Sequence, residues 1–240
     1  MKRLMKKTLR LLQTPFILID YWRFSRAGDG RFALHVFDAY PCLKDKTIKT
    51  SFDRHYVYFT AWAARILAER RPSKHVDISS SLYFSGIASA FVPIEFYDLR
   101  PADLSLPGLT CRTGDLTALP FADDSIVSLS SLHVVEHIGL GRYGDPIDPQ
   151  GDLKAARELT RVLAPGGTLL FAVPMGARPR IEYNAHRIYS YQAVIDLFPS
   201  LTLQEFTLIP EHSGEMVRQA DPTLLKPESY ACGCFVFTKI

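Results

Sequence analysis

Apolar and polar positions along the chain change period several times, and each change predicts an element. Phe52, Tyr56, Phe59, Ala63, Ile66 and Leu67 recur at helical spacing, which predicts a helix over 53–70 closed by Pro72. His75–Ser79, Ile94–Asp98, Leu109–Arg112 and Ile126–Ser131 are short β-rich runs. Thr168–Val173 is a continuous apolar run ended by Pro174, as expected of a central strand covered on both faces. Thr202–Leu208 and Cys232–Thr238 predict two last strands. Between them, Ser85–Phe91, Asp152–Leu163 and Tyr189–Phe198 fit helices, the second with Leu153, Ala156, Leu159 and Leu163 on one face and Pro165–Gly166–Gly167 as its stop.

Strands alternating with helices argue for an α/β fold, a doubly wound and mostly parallel seven-stranded sheet. The last two strands are joined by a loop without a helical pattern, so the last strand is expected to run antiparallel. Residues 15–50 are aromatic and irregular. The expected division is therefore 1–52, a basic helix and extension, and 53–240, the α/β domain.

The chain has 240 residues, 47% of them hydrophobic and 22% charged, which suffices for a large core. A formal charge of +3 gives no reason to expect nucleic acid as a partner. Four scattered cysteines, Cys42, Cys111, Cys232 and Cys234, form no CxxC pair, so no metal site is expected from spacing, and reduced thiols indicate a cytoplasmic protein. Residues 1–14 carry five cations and no acid. Plotted as a helix, they place Lys2, Arg3, Lys6, Lys7 and Arg10 opposite Leu4, Met5, Leu9, Leu11 and Leu12. Two readings stay open for them: peripheral contact with the inner membrane surface, or a helix packed on its own domain.

The stretches VDISSSLYFSG, EFYDLRP, TGDLTALPFADDSIVSLSSLHVVEHI and ARELTRVLAPGGTLLFAVP stand in order between about 74 and 175. Together they resemble the motifs of class I S-adenosylmethionine-dependent methyltransferases, which have a Rossmann-like fold. The loop HIGLGRYGDPIDPQGDLKA is similar to a bacterial family of unknown function linked to surface-polysaccharide gene clusters. The resemblance implies a methyltransferase acting on a small or sugar-linked acceptor, with S-adenosyl-L-methionine as cofactor. It also implies roles: Asp98 for the ribose hydroxyls, Asp115 and Leu116 for the adenine, and Asp77, Ser79 and Ser81 for the turn beneath the methionine part. Asp98 and Asp115 could equally cap their own turns.

The family carries a glycine-rich turn where this chain reads Ser79, Ser80, Ser81, Leu82 and Tyr83. A bulky Tyr83 could fill the cofactor space, which keeps a second reading open: a catalytically silent binding or scaffold protein of the same fold in polysaccharide assembly. For the chemistry, His133, His137 and His186 are candidate bases, because imidazole titrates near neutrality. Their alternative is structural, with His137 capping a helix that VVEHI begins. Arg142, Tyr143, Asn184 and Arg187 are candidates for holding the acceptor. Arg142 and Tyr143 sit in the glycine-rich loop 139–152, a lid, an acceptor platform or a rigid surface loop. Arg187 could instead be a structural ion pair, and Ser190 the N-cap of the next helix.

Overall fold

A computed structural model describes residues 16–42, 45–212 and 214–240 of the chain. They fall into two compact units, 1–52 and 53–240. Residues 1–14, the candidate membrane-surface helix, lie outside the described residues. In the first unit, residues 16–27 are helical (α1), and a single 3-10 turn, Val36–Asp38, follows in otherwise irregular chain. Lys46 Nζ pairs with Asp20 at 2.7 Å there. Among the described residues no helix is long and apolar enough to cross a membrane.

The second unit is built on a seven-stranded sheet. Its strands are β1 (His75–Ile78), β2 (Ile94–Asp98), β3 (Leu109–Thr113), β4 (Ile126–Leu132), β5 (Leu163–Met175), β8 (Leu201–Ile209) and β9 (Ala231–Lys239). A separate hairpin pairs β6 (Arg180–Glu182) with β7 (His186–Ile188). The sheet order is β3-β2-β1-β4-β5-β9-β8. The first five strands are parallel, and β9 is antiparallel to both its neighbours; the link from β8 holds no α-helix and one 3-10 turn, Pro222–Leu225. This is the Rossmann-like methyltransferase fold. The chain order reverses between β1 and β4, the place where such a sheet opens a crevice at its strand ends.

Alternation along each strand divides the core in two. Leu169, Phe171 and Val173 of β5 and Phe235 and Phe237 of β9 join one cluster, with Leu159 of α4 (Gly151–Val162) and Val194 of α5 (Tyr191–Leu197). Leu170 and Ala172 of β5 and Cys232, Cys234 and Val236 of β9 face the other. There they meet Phe59, Trp62 and Ile66 of α2 (Arg54–Arg70) and Phe84 of α3 (Leu82–Ala88). Asp53 caps α2 by accepting from Tyr56 N, and Ser190 caps α5 by accepting from Ala193 N.

Some elements differ from their sequence expectation. The helix expected at Ser85–Phe91 starts earlier, at Leu82, because the chain leaves β1 through Ser79 in a left-handed conformation (φ 56°) and Ser81 already stands at the N-cap. α4 ends at Val162, before Pro165–Gly166–Gly167. That tripeptide lies within β5, where the pairing with β4 jumps from Ile126↔Leu163 to Ser128↔Thr168 and a bulge absorbs it. VVEHI forms only a 3-10 turn, Val135–His137. The β6–β7 hairpin was not legible as strands, since three residues per strand show no period.

Candidate functional site

The site lies where β1, β2 and β4 end. Both central strands leave the sheet through a non-glycine residue in the left-handed region, Ser79 after β1 and His133 (φ 58°) after β4. Such backbone costs on the order of 1–3 kcal/mol per residue and collects at functional sites. Beside these turns is a cavity of about 260 Å3 walled by Ser79, Ser80, Ser81, Asp98, His133 and His137, among others. A second cavity, about 310 Å3, is walled by Gly114, Asp115, Leu116 and Thr117. Ser79, Leu99, Ile138 and Asp145 border both cavities, so the two adjoin across a shared wall and together make up the hollow.

Tyr83 does not fill this hollow. Its side chain is 84% exposed and it borders neither cavity. Ser80 helps shape the turn by accepting from Leu132 N at 2.9 Å, and Ser79 N donates to Tyr97 O at 2.7 Å. The serines thus replace glycines without closing the space.

Asp77 lies beneath the turn after β1 and borders neither cavity. It is fully buried there, where Ser85 donates to it at 2.6 Å and Ser130 donates to its other oxygen. Ser130 in turn bonds His75 Nε2 at 2.8 Å, and Ser128 bonds His75 Nδ1 at 2.7 Å. Asp77 therefore holds the turn from below and does not face the hollow. Burial raises its pKa to about 6, against the bonds from Ser130, Ser80 and Ser85. Burial lowers that of His75 to about 3.

Asp98 and Asp115 face the two parts of the hollow, and each also caps its own turn. Asp98 accepts from Arg100 N at 2.7 Å, and Asp115 accepts from Thr117 N and Oγ1 at 2.7 Å each. One carboxylate oxygen of each is occupied in this way, which fixes the carboxylate and leaves its second oxygen for a ligand.

Loop 139–152 is a braced wall rather than a lid. Gly139 has φ +81°, and a Cβ there would lie 2.0 Å from Asp148 O, so only glycine closes this turn. Asp145 accepts from Gly139 N (2.7 Å), Tyr143 N (3.2 Å) and Gly141 N (3.3 Å). Burial pushes the Asp145 pKa up, but those N–H groups outweigh it and hold the pKa low. Arg187, expected to hold the acceptor, is buried instead and donates to Ile138 O at 2.7 Å, with Asp152 at 3.5 Å. It is a structural clamp on the loop. Asn184 is exposed at the turn of the β6–β7 hairpin and borders neither cavity.

The three candidate histidines separate. His137 borders the hollow, and its Nδ1 donates to Ala185 O at 2.7 Å, which leaves Nε2 to accept a proton. Burial lowers its pKa, so the neutral form prevails at neutral pH. His133 also borders the hollow but is buried, with Nδ1 3.1 Å from Glu136 and Nε2 3.2 Å from Cys232 Sγ. His186 borders neither cavity. It stacks on Tyr230 with ring centroids 5.2 Å apart. Tyr143 lies at the mouth, with the guanidinium groups of Arg100 and Arg142 each 5.0 Å from its ring. Arg142 also donates to Ala185 O at 2.8 Å.

Three site residues carried little sequence signal. Glu136 has no exposure, and its depth could not be foreseen from a polar-looking VVEH. His55 left one clue, its place one turn before Phe59 on the buried face of α2. Tyr56 borders the hollow from the same helix.

Residues 60–171 match the family model described as a methyltransferase domain. The cofactor of this domain class is S-adenosylmethionine, and an open hollow with an acid on each wall suits its nucleoside. Residues 122–225 also match a family described as Caenorhabditis protein of unknown function, DUF268. No curated protein matches the chain in sequence.

Among solved structures, the fold is similar to that of the Burkholderia thailandensis 1,6-didemethyltoxoflavin-N1-methyltransferase with bound 1,6-didemethyltoxoflavin and S-adenosylhomocysteine. The TM-score is 0.54 at 10% identity, over 76% of this chain and 79% of that one. It is also similar to the MccD protein (TM-score 0.53, 13% identity, 76% and 96% covered). A third is the YcgJ protein of Bacillus subtilis (TM-score 0.50, 15% identity, 76% and 98% covered). At these identities the likeness is one of fold.

Proposed function

We propose that the protein transfers a methyl group from S-adenosylmethionine to a small or sugar-linked acceptor. The observation that carries this reading is the pair of adjoining cavities at the strand ends, with Asp98 on the wall of one and Asp115 on the wall of the other. Asp98 would accept from ribose hydroxyls. Asp115 would accept from the adenine amino group, with Leu116 N–H beside it. Ser79 and Ser81 would line the methionine end. When bound, the cofactor supplies an electrophilic methyl carbon on a sulfonium sulfur.

His137 would take the proton of an acceptor hydroxyl through Nε2, its ring held by the Ala185 carbonyl. Arg100, Arg142 and the face of Tyr143 would receive an acceptor bearing phosphate or carboxylate beside a ring. A link to surface-polysaccharide assembly fits such an acceptor. In this reading the protein works in the cytoplasm, with residues 1–14 against the inner membrane surface. The exposure of Tyr83 favours catalysis over the silent reading, because that side chain leaves the cofactor space open, while the serine-rich turn that suggested the silent reading remains.

Calorimetry of the full chain with S-adenosylmethionine and S-adenosylhomocysteine tests the proposal. Saturable one-to-one binding of both is expected. No heat of binding at millimolar ligand would overturn it in favour of the silent reading. Liposome flotation with and without residues 1–14 tests the membrane contact, which equal flotation of the two forms would refute.

A further inference from the structure

We propose that His55, His133 and Cys232 bind one divalent transition-metal ion of the zinc class. The three come from α2, the end of β4 and the start of β9, so no sequence motif joins them. All three are buried, and their ligand atoms lie within 4.8 Å of one another. Small side-chain rotations would bring them to the ~2.0–2.3 Å bond lengths of zinc to nitrogen and sulfur.

The surroundings are those of a metal site. A ligating histidine usually engages its second ring nitrogen with a carboxylate or a carbonyl, which sets the tautomer. His55 Nε2 donates to Tyr230 O at 3.0 Å, leaving Nδ1 as its free donor atom. His133 presents Nε2 to Cys232 Sγ at 3.2 Å and has the Glu136 carboxylate 3.1 Å from Nδ1. Glu136 is an independent sign. Its side chain has no exposure, and neither oxygen makes a well-directed hydrogen bond among the described residues. The His133 and His137 rings lie 3.1 and 3.7 Å from its Oε1, and an ion on His133 would give this buried carboxylate a fixed positive centre.

Two histidines and a thiolate are a soft-to-borderline donor set, suited to zinc or cobalt rather than magnesium or calcium. Three protein ligands leave one tetrahedral position. It would open on a cavity of about 240 Å3 walled by His55, Tyr56, His133, Glu211 and Tyr230. His133 and Tyr56 also border the hollow at β1 and β2, so the ion would stand between the two spaces. Its open position would take a sulfur or oxygen donor from a small molecule. The site does not depend on the methyl-transfer reading.

The test is a titration of the chelator-treated, reduced full chain with cobalt(II), followed by competition with zinc(II). The expected result is one ion per chain, a thiolate-to-cobalt charge-transfer band and the intense visible bands of a tetrahedral site. Cys232→Ser should abolish the charge-transfer band, and Cys234→Ser should leave it intact. His55→Gln should weaken binding by more than a hundredfold, and Glu136→Gln by roughly 10- to 100-fold. Circular dichroism shows whether each variant is folded. For any variant that is not, X-ray absorption of the zinc-loaded wild type identifies the ligands directly, with one sulfur and two imidazoles expected. Absence of stoichiometric binding, a zinc shell without sulfur, or a sulfur band that survives Cys232→Ser would overturn the site and leave a hydrogen-bonded core cluster.

Discussion

Ser85 Oγ donates a 2.6 Å hydrogen bond to Asp77 Oδ2, tying α3 to the end of β1 beneath the turn that borders the hollow. The acid at the first strand end thus acts inside the protein. Its burial raises its pKa from 3.8 to about 6. Between those values the folded state binds more protons than the unfolded one, so this group makes stability fall as pH rises from about 4 to 6. Above pH 6 the loss is complete, about 3 kcal/mol. His75, whose pKa is lowered, contributes with the opposite sign as pH falls. The informative quantity is therefore the difference between Asp77→Asn and wild type. Urea melts at several pH values should show the variant gaining on wild type from pH 4 to 6. A constant difference would show that Asp77 is ionised throughout.

Asp98 should behave differently, because it borders the hollow. Asp98→Ala is expected to weaken S-adenosylhomocysteine roughly 10- to 100-fold, the loss of one or two hydrogen bonds to a charged acceptor. The melting temperature should change little. Unchanged affinity in calorimetry would remove the ribose assignment.

His137 should govern the pH profile of methyl transfer. Its neutral form is the active one, and burial lowers its pKa below the usual 6.5. The rate should therefore rise with pH, with its inflection lower than that of an unperturbed histidine. His137→Asn should cost about 10²–10⁴ in kcat and remove that inflection. A variant with wild-type kcat and the same profile would assign the base elsewhere.

Arg187 separates a structural role from acceptor binding. Arg187→Met removes the charge partner of Asp152, which keeps its bond from the Tyr189 hydroxyl, and frees the carbonyls of Ile138 and Pro149, at a cost of about 3 kcal/mol. Thermal melts should show a clear drop. An unchanged melting temperature with a raised KM for the acceptor would return Arg187 to the acceptor site.

Gly139 offers a check on the braced loop. With φ +81° and Asp148 O in the way, Gly139→Ala should destabilise the protein by at least about 2 kcal/mol. A variant as stable as wild type, by denaturant melts, would mean the loop moves freely.

Much of this protein was written locally. Short β-rich and apolar runs located the seven strands of the main sheet, and helical spacing located the helices before β1 and after β4 and β7, because such local patterns depend only on which faces are buried. The helix-free link before Cys232–Thr238 implied an antiparallel last strand. Asp98, Asp115, Ser79, Ser81 and His137 were legible because strand ends in an open α/β sheet converge on one crevice. What only the tertiary structure decided is the direction and depth of each side chain. Asp77 points under the turn while Asp98 points into the hollow, though both end strands. Arg187 in β7 is buried against the carbonyls of loop 139–152, while Arg142 in that loop is exposed and reaches Ala185 O. His55, His133 and Cys232 lie 78 and 99 positions apart in the order of their numbers. Only the crossing of α2 over the β4 and β9 strand ends brings them together, and contacts between residues so distant in the chain leave no period and no spacing to read.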